Sequence, residues 1–279
     1  MEKLELPEIE VLRRDLERET VGRKVKAVEA VSLASMPTHE TAESFEDPIV
    51  GSKVVAVDRV GLWILVRMDN DHALAMMFVE GGTIAKVAAK EPKADGTVAV
   101  ISFTQGGDLR ITDPDGNANV AIMPNDELGR IVPAPSELGL DLHAQPISWV
   151  DFGHYLKNRK VPLKLLLTDE AMFVGIGDVY SNEILFDSGL RHDRMSSDLS
   201  TQEIRRLYRS LVGTVHEAIK AGGTSLEDRP FVDLAGTVGE YASQLLVYGR
   251  AGEPSPRSRT PIKKTSFKHQ VVYFCNTQV

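Results

Sequence analysis

Between Lys24 and Met123 the chain runs through seven short segments rich in β-branched and apolar residues: KVKAVEAV, KVVAVDR, LWILVRM, HALAMMF, TVAVISF, DLRIT and NVAIM. Several alternate at period two. Turn residues such as Asp69-Asn70-Asp71, Gly106-Gly107 and Asp115-Gly116-Asn117 separate them, so this half predicts a β-sandwich or barrel. Ahead of it, Pro7 followed by Ile9, Leu12 and Leu16 predicts a helix over 7–20, ended by Gly22.

The pattern then changes. Residues Pro124 to Pro146 hold four prolines and little periodicity, as a linker does. Helical signals follow. Ser148 with Asp151 caps a helix carrying Trp149, Phe152 and Leu156, and Ser200 with Glu203 forms a capping box before Ile204, Leu207, Leu211, Val215 and Ala218. From about Gln244 the apolar runs LLVY and VVYF, around a Pro/Ser/Arg/Lys-rich middle, predict a β-hairpin. The fold class expected is α+β.

At 279 residues and 42% hydrophobic content there is material for one large or two moderate cores. The longest apolar runs fall far short of the ~20 residues of a membrane span. Met1-Glu2-Lys3-Leu4-Glu5 lacks the basic and apolar parts of a secretory signal, which points to the cytoplasm. The lone Cys275 has neither a disulfide partner nor a second thiolate for structural zinc. The seven histidines show no HExxH or paired metal spacing. No serine nucleophile elbow is present, and Gly175-Ile176-Gly177 is only a fragment of a nucleotide-loop pattern. A net charge of −8 weighs against tight nucleic-acid binding, but two basic clusters oppose it. One is Lys157 to Lys164, with Lys157, Arg159, Lys160 and Lys164; the other is Arg250 to Lys268, with six basic residues against Glu253.

Four ordered segments resemble one family. Glu5-Leu6-Pro7-Glu8-Ile9-Glu10 is similar to the ELPEVE opening of the formamidopyrimidine-DNA glycosylase and endonuclease VIII family. Gly175 to Tyr180 with Glu183 to Phe186 resembles its helix-two-turn-helix signature, GIGNIYA.E.LF. Gly222-Gly223-Thr224-Ser225-Leu226 resembles GGTTL, and Leu246 to Pro254 resembles the LVYGREGEP that introduces the family's zinc finger. The resemblance covers about residues 4–279. It implies an N-terminal β-sandwich with a flanking helix, a C-terminal helix-two-turn-helix domain with a zincless β-hairpin finger, and DNA gripped between the domains. The boundaries expected are 1–132 for the sandwich, 133–147 for the linker, 148–240 for the helical domain and 241–279 for the finger.

In that family an N-terminal proline amine attacks C1′ of the damaged nucleotide. Leu4 stands at the matching position, after Met1, Glu2 and Lys3, while Glu5 matches the adjacent general acid. Leu62 replaces a helping lysine, and Val79-Glu80-Gly81-Gly82 replaces the GMSG loop whose methionine fills the gap left by the flipped base. Asp113 to Ala118 replaces the DPRRFG loop, removing its arginine and aromatic. Asp178 replaces a phosphate-binding asparagine, whereas Lys164 and Tyr180 are kept. The four zinc cysteines align with Ser255, Ser258, Cys275 and Gln278, and the finger's DNA-contacting arginine with Gln270.

The reading that follows is a catalytically degenerate glycosylase-like protein that binds DNA or a repair partner without efficient base excision. DNA contact is expected from Lys160, Lys164, Tyr180, Arg257, Arg259, Lys263 and Lys264, on duplex, nicked or abasic DNA. No cofactor, no metal, no membrane association and a monomer are expected. Two alternatives stay open. One is an active glycosylase and abasic-site lyase using Lys3 or the Met1 α-amine with Glu5; the other is a protein-interaction scaffold that has left DNA.

Overall fold

A computed structural model describes residues 4–79 and 81–279. They form two compact units: one holds the described residues up to 135 together with 222–240, the other 136–221 and 241–279.

The first unit opens with α1 (Leu6–Thr20). Pro7 sits in its first turn, where a missing N–H costs nothing, and Ile9, Leu12 and Leu16 are fully buried along one face. After the helix, Gly22 at φ +86 donates its N–H to the Val54 carbonyl, so the turn needs the left-handed freedom glycine has. Next come β1 (Val25–Ala30), the short α2 (Ala42–Glu46), β2 (Val54–Val60), β3 (Trp63–Met68) and β4 (His72–Met77). β5 (Thr83–Val87), β6 (Thr97–Phe103), β7 (Asp108–Thr112) and β8 (Asn119–Pro124) complete the strands of this unit. They make two antiparallel four-stranded sheets of order β1-β6-β7-β5 and β2-β3-β4-β8, the expected sandwich.

In the second sheet, alternate residues Trp63, Leu65, Ala73, Ala75, Ala121 and Met123 pack with Leu128 and Val132. Their neighbours Ile64, Val66, Leu74, Met76, Val120 and Ile122 are buried on the opposite face. Burial on both faces explains why these strands read as apolar runs rather than clean alternation.

The second unit holds α3 (Trp149–Lys157), α4 (Leu163–Leu167), α5 (Asp178–Ser188) and α6 (Thr201–Lys220). The Ser148 hydroxyl accepts from the Asp151 N–H at 3.1 Å, and Ser200 with Glu203 completes the reciprocal capping box. Gly189 ends α5 in the left-handed conformation at φ +72. A hairpin of β9 (Lys263–Phe267) and β10 (Gln270–Phe274) follows. Among the described residues, no helix is long and apolar enough to cross a membrane.

The structure departs from expectation in three places. The run Leu245 to Tyr248 is not a strand; β10 pairs instead with the basic segment Lys263–Phe267. The backbone N–H groups of Leu246, Val247 and Tyr248 all donate to the buried Glu183 carboxylate, so they have no sheet to join. Residues 222–240 group with the sandwich, not with the helices. The Thr224 N–H donates to Glu8 Oε1 at 2.8 Å, and the Lys86 N–H to the Leu234 carbonyl at 2.7 Å. The expected linker, 133–147, is likewise divided: from Ser136 onward it belongs to the second unit, where Leu140 bridges to Phe173.

Candidate functional site

In the first unit, chain entry into α1 places Leu4 and Glu5 together. Leu4 is buried, and its nitrogen is a backbone amide whose N–H donates to the Phe78 carbonyl at 3.4 Å. An amide lone pair is delocalised into its carbonyl, so this nitrogen is no nucleophile. Glu5 is the extended N-cap residue of α1 and is 5% exposed. Its Oε1 lies 3.7 Å from Arg229 Nη1, an ion pair the sequence does not suggest because Arg229 follows GGTSL without any motif of its own. Lys3 and the Met1 amine, the substitute nucleophiles considered above, lie outside the described residues, as does Glu80.

The segment aligned with the intercalating loop folds on itself. The Asp113 carboxylate accepts from the Ser35 hydroxyl at 2.5 Å and from the Ala118 N–H at 2.7 Å, and Gly116 turns the chain at φ +67. Both contacts go to Asp113 Oδ2, while its Oδ1 is buried without a hydrogen-bond partner.

In the second unit, the motif assigns Lys164 and Tyr180 to DNA contact, and the structure buries both. Tyr180 is 1% exposed, with its ring 5.9 Å from that of Tyr241. Lys164 is fully buried, its Nζ donating to Asp178 Oδ1 and to the Ser181 hydroxyl, each at 2.7 Å. A buried ammonium requires a counter-charge, and Asp178 supplies it from the first turn of α5, where a carboxylate is also favoured by the helix dipole. Asp178 thus neutralises the charge that the motif reserves for phosphate. This pairing, 14 residues apart, joins a kept position, Lys164, to a substituted one, Asp178, which read separately in the sequence.

The remaining expected contacts are exposed: Lys160, Arg257, Arg259, Lys263 and Lys264. Arg257 donates to the Asp187 carbonyl at 2.9 Å, and Lys264 Nζ lies 5.5 Å from the Tyr273 ring centre. Gln270 turns inward, donating to the Thr168 hydroxyl at 2.7 Å.

The four positions aligned with zinc ligands serve hydrogen bonding and packing. Cys275 is fully buried in an apolar cluster with Phe186, Val247, Ile262 and Tyr273. Burial raises its thiol pKa, but the hydroxyls of Thr277, Ser255 and Ser258 outweigh that and hold it below its ordinary value. Gln278 Oε1 accepts from the Cys275 N–H, and its Nε2 donates to the Leu190 carbonyl, both at 2.9 Å. One thiol, two hydroxyls and one engaged amide do not fit a structural zinc, which takes thiolate and imidazole donors.

Comparison with known proteins agrees with this architecture. The family model described as the formamidopyrimidine-DNA glycosylase N-terminal domain matches residues 4–119, and that described as the formamidopyrimidine-DNA glycosylase H2TH domain matches residues 138–229. A formamidopyrimidine-DNA glycosylase of Heliobacterium modesticaldum is 32% identical, covering 97% of this chain and 98% of its own. One of Geobacillus kaustophilus is 31% identical, covering 97% of each. The crystal structure of the MutM (Fpg) protein from Thermus thermophilus superposes with a TM-score of 0.81 at 27% identity, over 98% of this chain and 97% of that one. A complex between the Lactococcus lactis Fpg and DNA containing an abasic site shares the fold, with a TM-score of 0.86 at 23% identity over 97% of each chain. With the family's two domain models matched in order along the chain, and relatives aligned over nearly their whole length, the chain belongs to the formamidopyrimidine-DNA glycosylase family.

Proposed function

We propose that this chain is a DNA-repair glycosylase-like protein that binds DNA without efficient base excision. The observation that carries the reading is Leu4: at the position of the nucleophilic amine stands an amide nitrogen, buried and engaged with the Phe78 carbonyl. Glu5 survives as an acid, but an acid alone cannot form the Schiff base on which displacement of the base depends. DNA as partner is supported by the solved relative bound to DNA containing an abasic site. The exposed Lys160, Arg257, Arg259, Lys263 and Lys264 are suited to phosphate contact, which is sequence-independent and salt-sensitive.

Borohydride trapping on a duplex with a single abasic site tests the reading. No covalent adduct is expected at any pH between ~6 and ~9, a range that includes the pKa of an ordinary α-amine. An adduct mapped to Lys3 or the Met1 amine overturns it in favour of an active lyase.

The finger folds in this reading without metal, held by the Cys275 cluster and the Gln278 hydrogen bonds. Dialysis against EDTA is expected to leave the melting temperature unchanged within about 1 °C, since metal binding that supports folding is folding free energy. Stoichiometric zinc in the purified protein, with a lowered melting temperature on its removal, is the contrary result.

A further inference from the structure

The second sheet ends at β8, which pairs on one side only, with β4. Val120 and Ile122 turn their N–H groups the other way, to the edge where an unsealed strand would pair with another chain. Residues 32–40 run along that edge as a strap and take both donors. The Val120 N–H donates to the Ser35 carbonyl at 2.8 Å, and the Ile122 N–H to His39 Nε2 at 3.1 Å. Ser35 also donates its hydroxyl to Asp113, so the same strap holds the turn that precedes β8. One seal is a backbone carbonyl, indifferent to pH; the other is an imidazole.

The hydrogen bonds around His39 fix its protonation. Nε2 accepts from a backbone N–H and must carry a lone pair. Nδ1 lies 3.1 Å from the Ser44 hydroxyl, whose own proton goes to the Thr41 carbonyl at 2.7 Å, so Nδ1 is the donor. The ring is therefore neutral, and it stands edge-to-face on the fully buried Phe45 with 5.2 Å between ring centres. A second proton would sit on Nε2 and face the Ile122 N–H, donor against donor. Burial lowers the His39 pKa, the bond to Ser44 raises it by less, and no charged group adds to either. β8 carries no ionisable side chain, and β4 carries His72. On the segment of His39 itself stand Glu40, Glu43 and Glu46, the last accepting from the Ala30 N–H at 2.8 Å, followed by Asp47. Against α2 lies β1 with Lys26 and Glu29, and Glu29 is paired with Lys93.

We propose that His39 is a proton-operated latch: neutral, it seals the free edge of β8 under residues 32–40; protonated, it lets the strap lift from that edge. The closed form prefers the neutral ring. The latch is accordingly closed above the ordinary imidazole range near ~6.5, and closure weakens as the pH falls through it.

Amide hydrogen exchange at Ile122 in the full chain tests this, expressed as a protection factor so that the intrinsic pH dependence of exchange cancels. Between pH ~7.5 and ~5 the protection of the unmodified chain is expected to fall about threefold or more, while Ala121, whose N–H turns toward β4, keeps its own. His39→Gln offers an amide oxygen that accepts at any pH, so its Ile122 protection is expected to stay constant over this range. His39→Phe keeps a ring beside Phe45 but no acceptor, and low protection at every pH is expected. No fall in the unmodified chain, an equal fall in His39→Gln, or an equal fall at Ala121 overturns the proposal.

Discussion

Replacing Glu183 by alanine is expected to destabilise the second unit by about 3 kcal/mol or more, the scale of losing charge-assisted hydrogen bonds from buried donors. Glu183 is 1% exposed on α5. Its Oε2 accepts from the Leu246 N–H at 2.7 Å, and its Oε1 from the N–H groups of Val247 at 3.0 Å and Tyr248 at 2.8 Å. Alanine leaves these donors facing a small void, and the Val247 N–H is buried where water cannot replace the carboxylate without opening the segment. Glu183→Gln keeps the volume and one acceptor oxygen but turns an NH2 toward other N–H groups, so an intermediate loss is expected. Denaturant unfolding of both variants measures this. A loss below about 1 kcal/mol for alanine would show that the segment finds other acceptors. The consequence extends to the hairpin, because Val247 packs in the same cluster as Ile262, Tyr273 and Cys275.

That carboxylate also shows where reading the sequence stops. Elements set by local chemistry are legible: α1 through Pro7 and its apolar stripe, α3 and α6 through the Ser148 and Ser200 caps, and the sandwich through its short runs and turns. The LLVY run misleads because an apolar β-like tetrapeptide looks the same whether its N–H groups meet a strand or a glutamate more than 60 residues earlier. Residues 222–240 cannot be allotted to the sandwich from composition, since Glu8 lies 216 residues from Thr224. At the candidate site the positions are legible through the four motif segments, but their electrostatics are not. Lys164 reads as a phosphate-binding cation and Asp178 as a repelling anion until the fold brings them to 2.7 Å, where each accounts for the other.

In the first unit, Glu10→Ala is expected to cost about 3 kcal/mol, the lower end for removing one partner of a buried ion pair. Glu10 projects from α1 with its side chain 5% exposed. Arg59 on β2, 3% exposed, donates to its Oε2 at 3.1 Å, while Arg13 and Arg14 reach its Oε1 at 3.0 and 2.9 Å. The three pairs are unequal. Arg14 is half-exposed and solvated, so Arg14→Ala is expected to cost no more than about 0.5 kcal/mol. Arg59 is the decisive partner: in the Glu10→Ala variant its guanidinium keeps the Gly61 carbonyl at 2.8 Å but loses a carboxylate that offsets its desolvation. The pair also ties α1 to the sheet, and α1 carries Glu5 at its start, so a shift of this helix would move the one surviving acid of the candidate site. A double-mutant cycle separates burial of a charge from packing. Glu10→Ala combined with Arg59→Met is expected to be more stable than Glu10→Ala alone, because the second change removes the remaining buried charge and keeps most of the side-chain volume. Strictly additive losses would instead mean that Arg59 is satisfied without Glu10, and that α1 is held by its apolar face of Ile9, Leu12 and Leu16 alone.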